Sequence, residues 1–206
     1  MTKVKICGIT NLEDAQAAVK AGCDALGFIF YKKSPRYITP AKAAKIAKSL
    51  PKGIFKIGVF VDSTEKNIKR IAETCGLDML QFHGHESPEL CRRLRQHKII
   101  KVLHVKNRLD TQNMLRYKPF AWLFDTFNSK KMGGTGKGFD WALIRNIKVK
   151  EPIFLSGGLN AANVGKAIKL IHPDWVDVST SLETRPGKKD HKRIREFINA
   201  AKKVAL

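Results

Sequence analysis

The feature that most constrains this chain is a repeated alternation of apolar and helical segments. Short runs rich in β-branched and aromatic residues recur along the 206 residues, each followed by a segment with helical spacing. The runs are almost continuously apolar, which is typical of parallel strands covered on both faces. The pattern predicts eight strands, at VKICG, ALGFIF, FKIGVFV, MLQFHG, IIKVLHV, AWLFDTF, PIFLSGG and WVDVSTS.

Capping residues mark where the predicted helices begin and end. Polar side chains accept hydrogen bonds from the free N–H groups of a first turn, proline fits that turn, and glycine ends helices. Gly22 and Gly76 are predicted to end the first and third helices, and two short helices are expected around 110–116 and 140–146. The predicted helix starts are Asn11, Thr39 with Pro40, Ser63 or Thr64, Ser87 with Pro88, Asn160 and Asp190.

The eight strand–helix units run without a long linker or a change in composition. An uninterrupted series of this kind favours a closed (β/α)8 TIM barrel, here a single domain over residues 1–206. The alternative is an open doubly wound sheet, which usually has a glycine-rich fingerprint after its first strand. The first turn, KICGITN, lacks G-x-G-x-x-G. We therefore predict the barrel.

Composition limits the class of protein and its compartment. Hydrophobic residues make up 43% of the chain, which supplies a core and excludes disorder. The N-terminus has no signal-peptide stretch, and no apolar run is long enough to span a bilayer. The four cysteines include no C-x-x-C pair, so zinc and thioredoxin-like sites are not favoured. We expect a cytoplasmic protein with reduced thiols and no membrane partner.

The charge is strongly positive, at +21 from 39 Lys+Arg and 18 Asp+Glu. Such an excess favours anionic partners, either nucleic acid or phosphorylated metabolites. The basic residues are dispersed, and no zinc finger, helix-turn-helix or RNA-binding motif appears, so nucleic acid is the less favoured partner. Three lysine pairs follow predicted strands two, six and eight. We hypothesise that they form a rim that attracts an anion: Lys32–Lys33, Lys130–Lys131 and Lys188–Lys189.

Reactive side chains collect where a barrel places its chemistry, at the carboxyl ends of the strands. Ser156-Gly157-Gly158 after strand seven and a Ser/Thr run after strand eight predict a phosphate site, because backbone N–H groups at such turns bind anions. The full set of candidate site residues is Cys7, Arg36, Gln81, His83, Asp125, Gly157, Gly158, Asp177, Ser179, Thr180 and Ser181.

Each candidate also has a structural alternative. Cys7 could be a small buried hydrophobe, and Asp125 could form a salt bridge. Arg36 could be a solvated loop residue, and His83 a hydrogen-bonded structural histidine.

Several motifs, taken together and in order, resemble those of the phosphoribosylanthranilate isomerase family of tryptophan biosynthesis. The resemblance covers essentially the whole chain. The motifs are KICGIT, GFIF with SPRYI, GVFV, QFHG, FDT, GGTGKGFDW, LSGGLN, DVSTSLE and PGKKD.

The resemblance implies an Amadori rearrangement of N-(5-phosphoribosyl)anthranilate to the corresponding aminoketose, with Cys7 as general base and Asp125 as general acid. It implies no cofactor and no metal. The implied partner is a small anionic substrate with a phosphate and a carboxylate, and the implied assembly is a monomer or a homodimer. A related alternative is another sugar-phosphate isomerase, or one that also accepts the similar aminoaldose of histidine biosynthesis.

The resemblance also suggests how the substrate is bound. Arg36 offers a planar fork to the anthranilate carboxylate, and Asp177 could bind sugar hydroxyls or order a loop. The family usually has Ser-Ser-Gly where this chain has Ser179-Thr180-Ser181. We therefore expect that Ser181 has a negative φ and donates its hydroxyl, or that the phosphate lies nearer strand seven.

Overall fold

The eight predicted strands are present and form one closed parallel barrel. The computed structural model describes residues 1–105, 111–126 and 141–204. Each strand is hydrogen-bonded to the next in chain order, and the eighth pairs with the first. The strands are β1 Lys3–Cys7, β2 Ala25–Ile29, β3 Phe55–Phe60, β4 Met79–Phe82, β5 Lys98–Val105, β6 Ala121–Thr126, β7 Ile153–Leu155 and β8 Trp175–Val178.

The helices surround the barrel, and their caps follow the sequence closely. Asn11, Thr39, Thr64 and Ser87 each accept a hydrogen bond from a backbone N–H of the first turn, as predicted. Asp190 accepts two in the last helix. The helices are α1 Leu12–Lys20, α2 Pro40–Ser49, α3 Glu65–Cys75, α4 Pro88–Arg93, α5 Thr111–Met114, α6 Val164–Ile171 and α7 His191–Lys202.

Two predicted helices differ from the structure. The helix predicted from Asn160 begins at Val164, because Asn160 accepts N–H groups from Ala162 and Asn163 and so closes a separate turn first. The helix predicted around 140–146 is a single 3₁₀ turn at Trp141–Leu143. Most of the GGTGKGFDW segment lies outside the described residues.

Two apolar clusters hold the barrel together. One lies between the strands and the surrounding helices. The other fills the amino-terminal half of the barrel interior, with Ile57, Ile100, Leu123, Phe154 and Trp175 among its members. Burial on this scale contributes about 25 cal/mol for each Å² of apolar surface removed from water. Toward the carboxyl ends of the strands, the interior side chains above this apolar cluster are polar, with Lys5, Gln81, Asp125 and Asp177 among them.

A short antiparallel hairpin after the barrel was not predicted. Its strands are β9 Glu183–Arg185 and β10 Lys188–Lys189, with Gly187 at a φ of 81° between them. The hairpin folds back beside the loop that follows β8. None of the helices in the described residues combines the length and the apolar character needed to cross a lipid bilayer.

Candidate active site

Strand geometry brings the predicted reactive residues into one interior. Side chains alternate between the two faces of a strand, so Lys5 and Cys7 of β1 share a face. Lys5 is the register partner of Asp177 in β8, and Lys5 and Asp177 interact electrostatically with both Cys7 and Asp125. Cys7 on β1 and Asp125 on β6 therefore border the same polar region from different sides of the barrel.

Cys7 ends β1 as a buried thiol. A Cβ on Gly27 of β2 would lie 2.7 Å from the Cys7 Sγ, so only glycine at that position leaves room for the sulfur. Burial raises the pKa of Cys7, because the thiolate loses its hydration, and the nearby Lys5 ammonium opposes this shift. The thiol is thus protonated in the free site, with a cation beside it.

Asp125 is a buried carboxyl group that can keep its proton near neutral pH. Burial raises its pKa to about 7, and the backbone N–H of Thr126, which donates to Oδ1 at 2.7 Å, works against this shift. The negative charge of Asp177 adds to the increase. The structure therefore agrees with the requirement for a general acid, whose pKa should lie near the working pH.

Lys5 is a buried cation in this interior. Its side chain is 0% exposed, and its Nζ donates to Asp177 Oδ1 and to Gln81 Oε1, both at 2.8 Å. The pKa of Lys5 is raised by Asp177 and Cys7 despite the opposing effect of burial. No motif or pattern in the sequence marked Lys5 as a site residue.

Gln81 and His83 extend this contact toward Asp125. Because Gln81 Oε1 accepts from Lys5, the Gln81 amide nitrogen faces His83 Nδ1, at 3.1 Å. An amide nitrogen only donates, so Nδ1 accepts and the neutral imidazole carries its proton on Nε2. That nitrogen lies 3.5 Å from Asp125 Oδ2. Burial lowers the pKa of His83 to about 3, so His83 is neutral and presents an N–H to the site.

One group of described residues has the composition of a metal site. His83, His104 and Asp125 each offer a ligand atom, and these atoms lie within 4.8 Å of one another. A metal needs a lone pair on the His83 nitrogen that faces Asp125, whereas the Gln81 amide fixes a proton there. The donor set does not fit a metal ion, and we derive no step through one.

Arg36 is buried in an ion-pair cluster and is not a solvated loop residue. Its Nε donates to Glu183 Oε1 at 2.8 Å, and its Nη2 donates to Glu183 Oε2 at 2.7 Å and to Thr180 Oγ1 at 3.3 Å. Lys189 also binds Glu183, at 2.9 Å. These two cations share one carboxylate, which leaves one net positive charge in the cluster. The contacts with Glu183 and Thr180 do not use Arg36 Nη1.

The loops after β7 and β8 lie side by side, as a shared phosphate site requires. Gly157 and Gly158 have φ values of 87° and 70°, which glycine adopts without strain. Ser181 lies in a 3₁₀ turn, Thr180–Leu182, and its φ is not positive, as expected for a residue replacing glycine. Its hydroxyl donates to the Leu159 carbonyl at 2.6 Å, so it joins the two loops and is not free to donate to a ligand.

The proposed lysine rim is only partly supported. Lys32 and Lys33 are exposed, as a rim requires. Lys189, in contrast, is buried and donates to Ser179 and Glu183, and Lys188 pairs with Glu13. That pair is structural because the hairpin turns it back onto the barrel. Lys130 and Lys131 lie outside the described residues.

Asp125 should lower the stability of the fold above neutral pH. The unfolded carboxyl titrates near pH 4 and the folded one near 7, so the folded state binds more protons between these values. The free energy of unfolding therefore falls as pH rises through this window and stays reduced above it. An Asp125→Asn variant should gain stability relative to the wild type, from almost nothing near pH 4 up to about 4 kcal/mol near pH 8.

Denaturant unfolding of both proteins between about pH 5 and about pH 8 measures this difference. A difference that does not change with pH would contradict a folded-state pKa near 7 for Asp125.

Comparisons with known proteins place these features in a family. Residues 4–200 match the family model described as N-(5'phosphoribosyl)anthranilate (PRA) isomerase. The chain is 47% identical over 204 residues to the N-(5'-phosphoribosyl)anthranilate isomerase of Pelobacter propionicus, covering 99% of this chain and 97% of that protein.

Solved structures give the same result. The crystal structure of phosphoribosyl anthranilate isomerase from Thermotoga maritima has a TM-score of 0.92 and 46% identity, covering 98% of this chain and 99% of that one. A phosphoribosyl anthranilate isomerase in complex with reduced 1-(o-carboxyphenylamino)-1-deoxyribulose 5-phosphate has a TM-score of 0.86 and 44% identity, with the same coverage. The family indicated by the sequence motifs is confirmed.

Proposed function

Because the chain belongs to the N-(5′-phosphoribosyl)anthranilate isomerase family of tryptophan biosynthesis, and is thus an isomerase, we propose that Asp125 and Cys7 carry out its reaction as acid and base. The reaction is the Amadori rearrangement of N-(5′-phosphoribosyl)anthranilate to 1-(2-carboxyphenylamino)-1-deoxyribulose 5-phosphate. The observation that carries this proposal is a buried carboxyl group with a pKa of about 7 facing the same interior as a buried thiol.

Asp125 acts first, as the general acid. It donates its proton to the ring oxygen of the sugar while the anilino nitrogen supplies electrons, and the furanose opens to a protonated Schiff base. The burial that raises the Asp125 pKa keeps this carboxyl group protonated near neutral pH, so its proton is available for transfer to the substrate. The His83 N–H, 3.5 Å from Oδ2, faces the carboxylate that remains and offsets its negative charge.

Cys7 acts second, as the general base. Its thiolate removes the proton from C2′, and the electron pair of that bond forms an enolamine with the neutral anilino nitrogen. The enolamine then tautomerises to the ketone, gaining a proton at C1′ and losing one from the C2′ hydroxyl. The rearrangement takes up no net proton and needs no oxidant. Asp125 gives one proton to the substrate and Cys7 takes one from it, so one acid and one base suffice.

In this mechanism the productive molecule has a protonated Asp125 and a Cys7 thiolate. Asp125 titrates near 7, and burial raises the pKa of Cys7 above that of an ordinary thiol. With one proton shared between the two groups, most molecules carry it on the thiol, and the productive minority carries it on the carboxyl. Any group that favours the thiolate therefore raises the active fraction.

Substrate binding follows from the charges around the interior. The cluster of Arg36, Lys189 and Glu183 carries one net positive charge and suits the anthranilate carboxylate, with Arg36 Nη1 directed to it. The phosphate is bound by the loops after β7 and β8, through Gly157, Gly158, Ser179 and Thr180 (Ser181 contributes by joining the loops). A ligand of the reduced-product type in a related structure supports this size and charge of substrate.

Asp177, Gln81 and His83 complete the substrate-binding set. Asp177 Oδ1 is engaged by Lys5, which leaves Oδ2 for sugar hydroxyls. The Gln81 amide is engaged by Lys5 and His83, so Gln81 acts on the substrate through His83.

Arg36→Ala is expected to raise KM by about tenfold or more and to lower kcat much less, since Arg36 binds the substrate away from the reacting carbons. Lys189 still pairs with Glu183 in this variant, so the carboxylate is not left alone. Steady-state kinetics measure both constants. Arg185→Ala is a matched control, because Arg185 is exposed at the end of β9, and it should leave KM unchanged. An unchanged KM in Arg36→Ala would refute the carboxylate role.

The test of the whole proposal is the loss of fluorescence of enzymatically generated phosphoribosylanthranilate. Complementation of a tryptophan auxotroph lacking this step supports the same conclusion in cells. Turnover of the related aminoaldose of histidine biosynthesis would widen the substrate range. Tight nucleic-acid binding at physiological salt, with no turnover, would favour the alternative based on net charge.

A further inference from the structure

The buried ammonium group of Lys5 lies near Cys7, and the roles of Asp125 as acid and Cys7 as base do not by themselves explain why it is there. We propose that Lys5 is a positioning residue for the rearrangement: its buried ammonium group, held by Asp177 and Gln81, stabilises the thiolate form of Cys7. This inference rests on the proposed function, because it concerns how the base becomes available.

The donor count of Lys5 points to Cys7. An ammonium group has three N–H donors, and a side chain with 0% exposure must satisfy them inside the protein. Asp177 and Gln81 accept two of them, both at 2.8 Å. We assign the third donor to the Cys7 sulfur, with which Lys5 interacts electrostatically. The three acceptors are a carboxylate, an amide oxygen and the sulfur, and only the sulfur must change its charge during the reaction.

The backbone fixes the Lys5 side chain in this place. Lys5 and Cys7 are two residues apart on β1 and point to the same face. A Cβ on Gly27, opposite Cys7 in the register, would lie 3.2 Å from Lys5 Cε and 2.7 Å from Cys7 Sγ. Both side chains therefore pack against the bare α-carbon of one glycine, which keeps the ammonium close to the sulfur.

The charged groups around Cys7 do not act equally. Lys5 from β1 and Lys189 from β10 favour the thiolate, and Asp177 from β8 opposes it. The ammonium group of Lys189 donates to Ser179 and Glu183, and the effect of Lys5 on the Cys7 thiolate is larger than that of Lys189. Lys5 is consequently the cation through which the protein offsets the cost of burying a thiolate.

Packing alone does not account for the buried ion pair of Lys5 and Asp177 beside Cys7. A buried ion pair loses hydration that its mutual attraction only partly restores, and apolar residues of similar volume often serve stability as well or better. The layer beneath is apolar, with Ile57 and Met79 among its residues. A lysine directly above this apolar layer is explained by a need for positive charge beside the Cys7 sulfur.

The experiment uses the alkylation of Cys7 by iodoacetamide as a function of pH, with the modified peptides quantified by mass spectrometry. The thiolate is the reactive species, so the midpoint of the curve reports Cys7 ionisation without any turnover. Lys5→Met should raise the midpoint by at least about one pH unit, which is a tenfold loss of alkylation rate at fixed pH. Asp177→Asn should lower the midpoint, because it removes the charge that opposes the thiolate.

The double variant Lys5→Met/Asp177→Asn separates charge from structural damage. It should lie between the wild type and Lys5→Met, because Lys5 affects Cys7 more strongly than Asp177 does. Shifts in opposite directions are not expected from loosened packing. Alkylation of Cys91, whose raised pKa of about 11 has burial as its main cause, is the internal control and should stay constant. If Lys5→Met does not fold, the downward shift in Asp177→Asn still tests the electrostatic argument.

Turnover provides the second measurement. Lys5→Met should lower kcat more than it changes KM, because fewer molecules then carry the Cys7 thiolate together with the protonated carboxyl group of Asp125. An unchanged midpoint in folded Lys5→Met, or an upward shift in Asp177→Asn, overturns the role of Lys5. A wild-type protein that does not convert phosphoribosylanthranilate overturns the proposed function instead, whatever the alkylation curves show.

Discussion

An Asp125→Asn variant is expected to turn over about 10²- to 10⁴-fold more slowly than the wild type, with its fold retained. Asn has nearly the same shape, and its oxygen can still accept the Thr126 N–H that Asp125 accepts at 2.7 Å. The amide group of asparagine is far too weak an acid to protonate the ring oxygen. Ring opening would then depend on water in a site where burial restricts water.

The matched control is Asp78→Asn. Asp78 is exposed before β4, at the opposite end of the barrel, and its Oδ2 accepts a backbone N–H from Lys56 at 2.7 Å. The same chemical change there should leave kcat unaltered. Steady-state kinetics with the fluorescent substrate measure both variants. Wild-type kcat from folded Asp125→Asn would remove Asp125 from its role as acid.

A Cys7→Ala variant should show a comparable loss, with kcat reduced by about 10²- to 10⁴-fold. Alanine removes the sulfur and leaves no group on β1 that can take the C2′ proton. Substrate binding should change little, since the charge of Arg36 and the loops after β7 and β8 remain. The loss should therefore appear in kcat and not in KM.

Cys75→Ala is the control for this substitution. Cys75 is a buried thiol on α3, and its sulfur contacts the Pro40 carbonyl at 3.4 Å, away from the polar interior. It should lose some stability through the small cavity and keep its kcat. If Cys7→Ala kept wild-type turnover, another group would have to be the base.

The sequence by itself determined the fold and the two groups proposed for the chemistry. The near-continuous apolar runs predict strands that are covered on both faces. The capping residues of α1 to α4 accept hydrogen bonds from backbone N–H groups only a few residues away in the chain. Such local signals can be read without coordinates. Because barrel strands present their carboxyl ends to one face, the same reading identified Cys7 and Asp125 as candidates.

Only the tertiary structure decided how these groups are charged and held. Lys5 looks like any lysine in so basic a chain, and its burial beside Asp177 and Gln81 depends on strands far apart in sequence. Glu183 and Lys189 join Arg36 because a hairpin folds back, a contact that no short-range pattern encodes. Burial and neighbouring charge set the pKa of Asp125 and Cys7, and both arise only when the barrel closes.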